Sequence, residues 1–411
     1  MTKTENGYEI QGLNVENLVA EFGSPLYVYD GGKIEEKISS LKSAFSAVDL
    51  KIKFAAKALT NISILKLMKR NGVELDVVSP QELQLGLMAG FEGSQITFTP
   101  SGVSFDEIEN AVENGSIVNL DNLAVLEKFG HKYGNSVPCS MRIKPNVAAG
   151  GNDKIMTAHE GSKFGIDVLQ KEEILEIVNK YNIQVVGIHQ HTGSDIKTPE
   201  AFVQVADIVF EFALSFPNLQ FIDLGGGFKV AYKDGDVVTD MPALSEKLSG
   251  AFNDFCSRYG RKLQLWFEPG KYLVSESGYL LVTANVVKKN PTKTFVGVNS
   301  GLNHLIRPMM YDAYHSIVNI SNYAESQQER YDVVGYICET DTFAKDRLLP
   351  IVNEGDTLAF LNAGAYGFTM SSHYNSRFRP AEVLIQDGKA HLIRKRETME
   401  DILNNQVVLD F

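Results

Sequence analysis

VVGIHQHTGSD, residues 185–195, is the stretch on which the reading of the fold turns. An apolar run, Val185 to Ile188, gives way at once to histidines, a glycine and small polar residues. On a strand alternate residues share a face, so Gly187, His189 and His191 point one way. In a barrel that way could be the lumen, and His191 would sit at the strand's C-terminal end, where barrel active sites are built. Gly193 and Ser194 could offer a backbone N–H and a hydroxyl to an anion. The bland alternative is a polar strand end with a satisfied histidine.

Similar short runs recur on both sides of this stretch. They are LYVYD (26–30), KIKFAA (51–56), VELDVVS (73–79), ITFTP (96–100), SIVNL (116–120), CSMRI (139–143), FIDLGGG (221–227) and LQLWFEPG (263–270). Helical patterns such as KIEEKISSLKSAF (33–45), SFDEIENAVENG (104–115) and EEILEIVNKY (172–181) lie between several of them. Strand–helix alternation argues for a parallel sheet. About eight such units over residues 25–268 fit a (β/α)8 barrel better than an open sheet. After Pro269 the runs YLLVTANVVKK, TFVGVN, YDVVGYIC, DTLAFLN and AEVLIQDG are β-rich and separated by turn signals. Asp387–Gly388 reads as a hairpin turn. The expectation is an α/β protein: a TIM-type barrel over 25–268, and a second, mostly antiparallel β domain from 269–411 with residues 1–24.

Composition narrows the classes. The 411 residues are 44% hydrophobic and 22% charged, ordinary for a globular enzyme. The net charge of −12 argues against sequence-independent nucleic-acid binding. An anionic cofactor would need local donors. Cys139, Cys256 and Cys338 form neither a disulfide framework nor a zinc motif. No secretory signal or membrane-crossing run is visible, so the cytoplasm is the expected compartment and no membrane partner is expected.

Four further motifs carry chemistry. Gly225, Gly226 and Gly227 end an apolar strand, where bare backbone N–H groups could crowd around a phosphate; the alternative is a tight turn. Glu268 in WFEPGKYL falls at a strand end, as an acid, a metal ligand, a partner for a heterocyclic nitrogen, or an ordinary surface carboxylate. Lys57 in KIKFAAKAL follows two alanines, either as a covalent cofactor lysine or as a solvated rim residue. Cys338 in GYICETDTF is a small core residue or part of a polar loop.

Taken together, Lys57 after FAA, Asp76 in DVVS, HQHTGS, GGG, EPGK, CETD and GAY resemble the fold type III pyridoxal-phosphate (PLP) decarboxylases, which act on ornithine, arginine and diaminopimelate. The match spans nearly the whole chain. Within that family MTAHEGSKFGI, HLIRPMMYDAYH, GYICETDTF, GAYGFTMSSHYNSR and RKRETMEDIL resemble the diaminopimelate subgroup. The resemblance implies a homodimer with shared active sites and decarboxylation of meso-2,6-diaminopimelate to L-lysine.

It also implies roles. Lys57 would carry PLP covalently, and His191 would stack on its ring. Ser194, Gly225, Gly226, Gly227 and Tyr366 would hold the phosphate. Glu268 would pair with the pyridine nitrogen. Asp76 and Glu82 would support Lys57 and His191, and Arg142 would lie near the ring oxygen. Cys338 would reach into the partner's site as proton donor. Lys271, Arg307, Tyr311, Glu339 and Tyr366 would grip substrate. No metal is implied. Two departures stand out: Lys271 replaces the usual arginine of EPGR, losing the bidentate fork, and CETD replaces CESGD. A zwitterionic far end of the substrate would need the cation Arg307 and the anion Glu339. Among rivals, alanine racemase would put an arginine at the pyridine nitrogen. Carboxynorspermidine, ornithine and arginine decarboxylases should differ at CE, SKFGI or Arg307. A non-enzymatic carrier would be a single barrel.

Overall fold

The computed structural model describes residues 1–146, 161–196 and 198–411. They divide into two compact units, one of residues 37–230 and 237–273, the other of 1–36, 231–236 and 274–411.

The first unit is a closed parallel barrel. Its strands are Leu50–Ala55, Glu74–Val77, Ile96–Phe98, Ile117–Leu120, Cys139–Lys144, Val185–His189, Phe221–Asp223 and Gln264–Phe267. Each pairs in parallel with the next, and the last returns to the first. Helices fill the crossovers, and their limits are written locally. In Met241–Tyr259 the Asp240 side chain accepts the Ala243 N–H, Pro242 sits in the first turn, and Gly260 at φ +85° ends the helix. Its buried residues Leu244, Leu248, Phe252 and Phe255 recur at helical spacing. Phe255 stacks on Phe210 of helix Pro199–Ala213, ring centroids 4.7 Å apart.

The lumen is filled by side chains. Phe221 and Trp266 stack with centroids 3.5 Å apart. A Cβ on Gly187 would lie 2.1 Å from the Phe221 ring, so this strand position needs glycine. Lys53, fully buried, sits 2.9 Å from Glu74 Oε2 and 4.3 Å over the Trp266 ring.

The second unit is built on a mostly antiparallel sheet. Thr342–Pro350, Gln328–Val334, Thr294–Val298, Gly278–Lys289, Leu26–Asp30, Ala381–Gln386 and Lys389–Arg394 run across it in that order. The expected hairpin is present, with Asp387 at φ +53° and Gly388 at φ +70° joining its strands. The reading of LYVYD as a barrel run is corrected here. Leu26–Asp30 pairs antiparallel with Gly278–Lys289 and parallel with Ala381–Gln386. Leu26 through Tyr29 are all buried. A central strand covered on both faces gives the same unbroken apolar run as a barrel strand, so sequence pattern could not separate them.

Candidate active site

The barrel's strand ends converge as the motifs suggested. The first strand passes into a short turn, Ala56–Ala58, whose alanines are buried while the Lys57 side chain stays 42% exposed. Lys57 Nζ lies 4.0 Å from Asp76 Oδ2, at the end of the second strand. Burial and then the nearby Glu268 charge push the Asp76 carboxyl well above its ordinary range, with Lys57 opposing. Glu82, in the first turn of helix Pro80–Met88, accepts the Val78 N–H at 2.9 Å and feels the Lys57 charge. It therefore ties down the loop after the Asp76 strand.

Glu268 follows the last strand and meets a partner that sequence reading did not assign. His189 Nε2 lies 2.9 Å from Glu268 Oε2, both side chains being buried. Burial pulls the His189 pKa down, so a neutral imidazole donating through Nε2 is the form that fits. Burial alone would raise the Glu268 carboxyl, but the His189 hydrogen bond and the Lys57 charge hold it below the usual range, ionised. Asp223 completes the group: the His189, Asp223 and Glu268 ligand atoms lie within 4.8 Å of one another. Burial and the Glu268 charge raise the Asp223 carboxyl well above normal, so it stays protonated beside an ionised neighbour. Asp223 Oδ1 accepts the Gly225 N–H at 2.8 Å. The alternation of Gly187 and His189 on one strand face could point His189 to the lumen but could not name Glu268 as its partner.

His191 lies beyond the strand end, against the glycines. Its Nδ1 accepts the Gly226 N–H at 3.3 Å. Burial, then Lys57 and Arg142, bring its pKa well below 6.5, leaving a neutral ring. Arg142, on the fifth strand, is buried with its guanidinium 4.5 Å over the Phe164 ring. Burial works against its charge; the Glu268 and Asp121 carboxylates work for it. Ser194 lies in the turn after His191. Lys271 Nζ donates to Asp195 Oδ1 at 2.9 Å.

The glycines test whether PLP fits. A Cβ on Gly225 would lie 2.7 Å from His191 Nδ1, on Gly226 2.6 Å from the Glu268 carbonyl oxygen, and on Gly227 2.4 Å from the Gly193 carbonyl oxygen. Gly225 and Gly227 also have positive φ. Only bare backbone can occupy this cradle, so a phosphate could approach it closely, with the Gly225 N–H given to Asp223 and the Gly226 N–H to His191. With an amine at Lys57, a neutral ring at His191 and an ionised carboxylate at Glu268, the donor set fits the cofactor.

The second unit holds the remaining candidates in two groups. In one, buried Arg307 opens the short helix Arg307–Tyr311, and its Nη1 donates to Tyr232 Oη at 2.7 Å. Tyr232 Oη also lies 2.9 Å from Ser275 Oγ. Sequence reading did not single out Tyr232, which arrives on the excursion 231–236. Tyr311 is half-buried at the end of that helix. In the other group, exposed Cys338 has Sγ 3.8 Å from Tyr374 Oη, which donates to Glu339 Oε1 at 2.8 Å. Hydrogen bonds to Glu339 and Cys338 push the Tyr374 hydroxyl up to about 12. The shortened loop is knotted by buried Asp341, which accepts the Leu302 N–H at 2.7 Å and the Ile337 N–H at 3.0 Å. Tyr366 has φ +56°, a strained value for a bulky residue. Residues 156–160 of MTAHEGSKFGI lie outside the described residues.

Comparison with known proteins follows the same lines. Residues 31–275 match the pyridoxal binding domain of the pyridoxal-dependent decarboxylases. The chain is 38% identical over 408 residues to diaminopimelate decarboxylase of Methanothermobacter thermautotrophicus, covering 97% of this chain and 95% of that protein. It is 36% identical over 413 residues to diaminopimelate decarboxylase of Bacillus subtilis, covering 96% and 94%. The crystal structure of diaminopimelate decarboxylase from Helicobacter pylori complexed with L-lysine superposes with a TM-score of 0.88 at 33% identity, covering 95% of this chain and 98% of that one.

Proposed function

The chain belongs to the pyridoxal-dependent decarboxylases, within them to the diaminopimelate decarboxylases, and from that premise we propose a role for each group in its site. The protein is a PLP-dependent carboxy-lyase that converts meso-2,6-diaminopimelate to L-lysine and carbon dioxide. The observation that carries the reading is the buried Glu268 carboxylate hydrogen-bonded to His189 at the end of a barrel whose glycine cradle adjoins it.

PLP bound through Lys57 supplies an electron sink for the pair released when the carbon–carboxylate bond breaks. Glu268 would hold the pyridine nitrogen in its protonated form, and His189 keeps that carboxylate oriented. Protonated Asp223 adds no second negative charge beneath it. Neutral His191 would pack on the ring. Ser194, Gly225, Gly226, Gly227 and Tyr366 hold the phosphate, while Asp76 and Arg142 fix polar surroundings of the ring. Cys338 delivers a proton to the carbon that loses its carboxylate. Arg307, aligned by Tyr232, takes the distal carboxylate, with Tyr311 beside it on the helix; Glu339 takes the distal amine.

Apart from Tyr366, the proposed cofactor-holding residues belong to the barrel unit, and Arg307, Tyr311, Cys338 and Glu339 belong to the second. The exposure of Cys338 and Glu339 supports a homodimer in which this loop serves the partner's site. No helix among the described residues is long and apolar enough to cross a membrane. The test is a substrate panel. Release of carbon dioxide and lysine from meso-diaminopimelate is expected; turnover of ornithine, arginine or carboxynorspermidine alone overturns the assignment.

A further inference from the structure

Lys271 stands where the resembling decarboxylases carry arginine, and its side chain is only 10% exposed. Its Nζ donates to Asp195 Oδ1 at 2.9 Å. Asp195 sits at φ +64°, a left-handed conformation that aspartate tolerates better than most residues. The neighbouring backbone is already pinned. Ile196 N–H donates to Gly227 O at 3.0 Å and Ile196 bridges in parallel to Phe228. Thr239 Oγ1 donates to Ile196 O at 2.7 Å. Gly227 packs on the Gly193 carbonyl and Gly226 on the Glu268 carbonyl with no room for a side chain. Three segments, 191–196, 225–228 and 268–271, are therefore in backbone contact, and the ion pair links the first to the third.

We propose that Lys271 and Asp195 form a clamp that positions the phosphate-holding loops, and that Lys271 is not the cation that grips the substrate's distal carboxylate. The proposal rests on the reading of the site given above. An ammonium already bound to a carboxylate has little net charge to offer a second anion. Pulling it away would leave Asp195, itself mostly covered, without its counter-ion. A lysine also lacks the fork with which an arginine can serve two anions at once. The distal carboxylate then depends on Arg307. Lys271 and Asp195 act through the loops they hold, as positioning residues.

The pair is tested on the holoenzyme by equilibrium dialysis of PLP and by steady-state kinetics at saturating cofactor. Lys271→Met and Asp195→Asn should each loosen cofactor retention about fivefold, the scale of a partly exposed ion pair. The double variant should be no looser than either single one, because both remove the same link. kcat should fall in step with retention while KM for meso-diaminopimelate stays within about twofold, as expected for misplaced rather than missing groups. Lys271→Arg, which keeps the pair, should restore retention. A Lys271→Met chain with unchanged retention and KM raised about tenfold would make the lysine a substrate ligand and end the proposal. Additive losses in the double variant would end it too. If Lys271→Met does not fold, the isosteric Asp195→Asn decides by the same readings. Loss of the broader function reading looks different: the unmodified chain would hold no PLP or would not turn over diaminopimelate.

Discussion

The two polar regions of this molecule are built in opposite ways. At the barrel's strand ends, Asp76, His189, Asp223 and Glu268 are all buried and are placed by strand termini and glycine contacts. In the second unit, Cys338, Glu339 and Tyr374 are exposed and are held chiefly by hydrogen bonds among themselves. Buried Asp341 in the same loop fixes it through two backbone N–H groups. The first region is pre-organised within one chain, as electrostatic catalysis requires. The second presents a thiol, a carboxylate and a phenol outward, a form suited to completing a neighbouring site.

Changes in the two regions should therefore fail differently. The largest effect belongs to Glu268→Gln. It keeps the shape but removes the charge, and kcat should fall about 10²–10³-fold, the usual loss for a pre-organised electrostatic group. Full activity in this variant would break the comparison at its strongest point.

Acid should weaken the second unit next. Burial carries the His304 imidazole down to about 4 and, with Arg307, the His315 imidazole down to about 3. Unfolded histidine titrates near 6.5. Between those values the unfolded chain takes up a proton that folded His304 refuses. Stability is therefore complete above about pH 6.5 and is lost as pH falls toward 4, by up to roughly 3 kcal/mol for His304. The difference between unmodified and His304→Gln melts at pH 7 and pH 4.5 reads this, because His189, His191, Asp76 and Asp223 titrate alike in both, and His304→Gln should flatten the slope. Equal slopes in the two chains would contradict it.

Gly226→Ala comes third. Its Cβ meets the Glu268 carbonyl at 2.6 Å, backbone that cannot swing aside. A cost of about 1–3 kcal/mol in unfolding free energy is expected, with weaker PLP retention. The smallest stability change belongs to Tyr374→Phe on the exposed loop. Denaturant melts should shift by less than about 0.5 kcal/mol while turnover falls. A large stability loss there would erase the contrast between the regions.

How much of this was legible in the sequence follows from the same contrast. Strand ends announce themselves by pattern, so Lys57, His191, Gly225–Gly227 and Glu268 could be named from short strings. Pattern could not place LYVYD, because a strand buried on both faces reads alike in either sheet. It could not pair His189 with Glu268, or Asp223 with both, because those residues meet only when the barrel closes. Tyr232 reaches Arg307 across 75 positions, and Tyr374 reaches Glu339 across 35. Lys271 could be read as a cation, but its partner Asp195 lies on another loop.

The central claim is that the barrel carries PLP on Lys57. Borohydride reduction of the purified holoenzyme followed by peptide mapping tests it most directly. The label should appear on Lys57, in the peptide that follows KIKFAA. A label on Lys53 or Lys271 instead, or no label on a protein that retains PLP, would contradict the account.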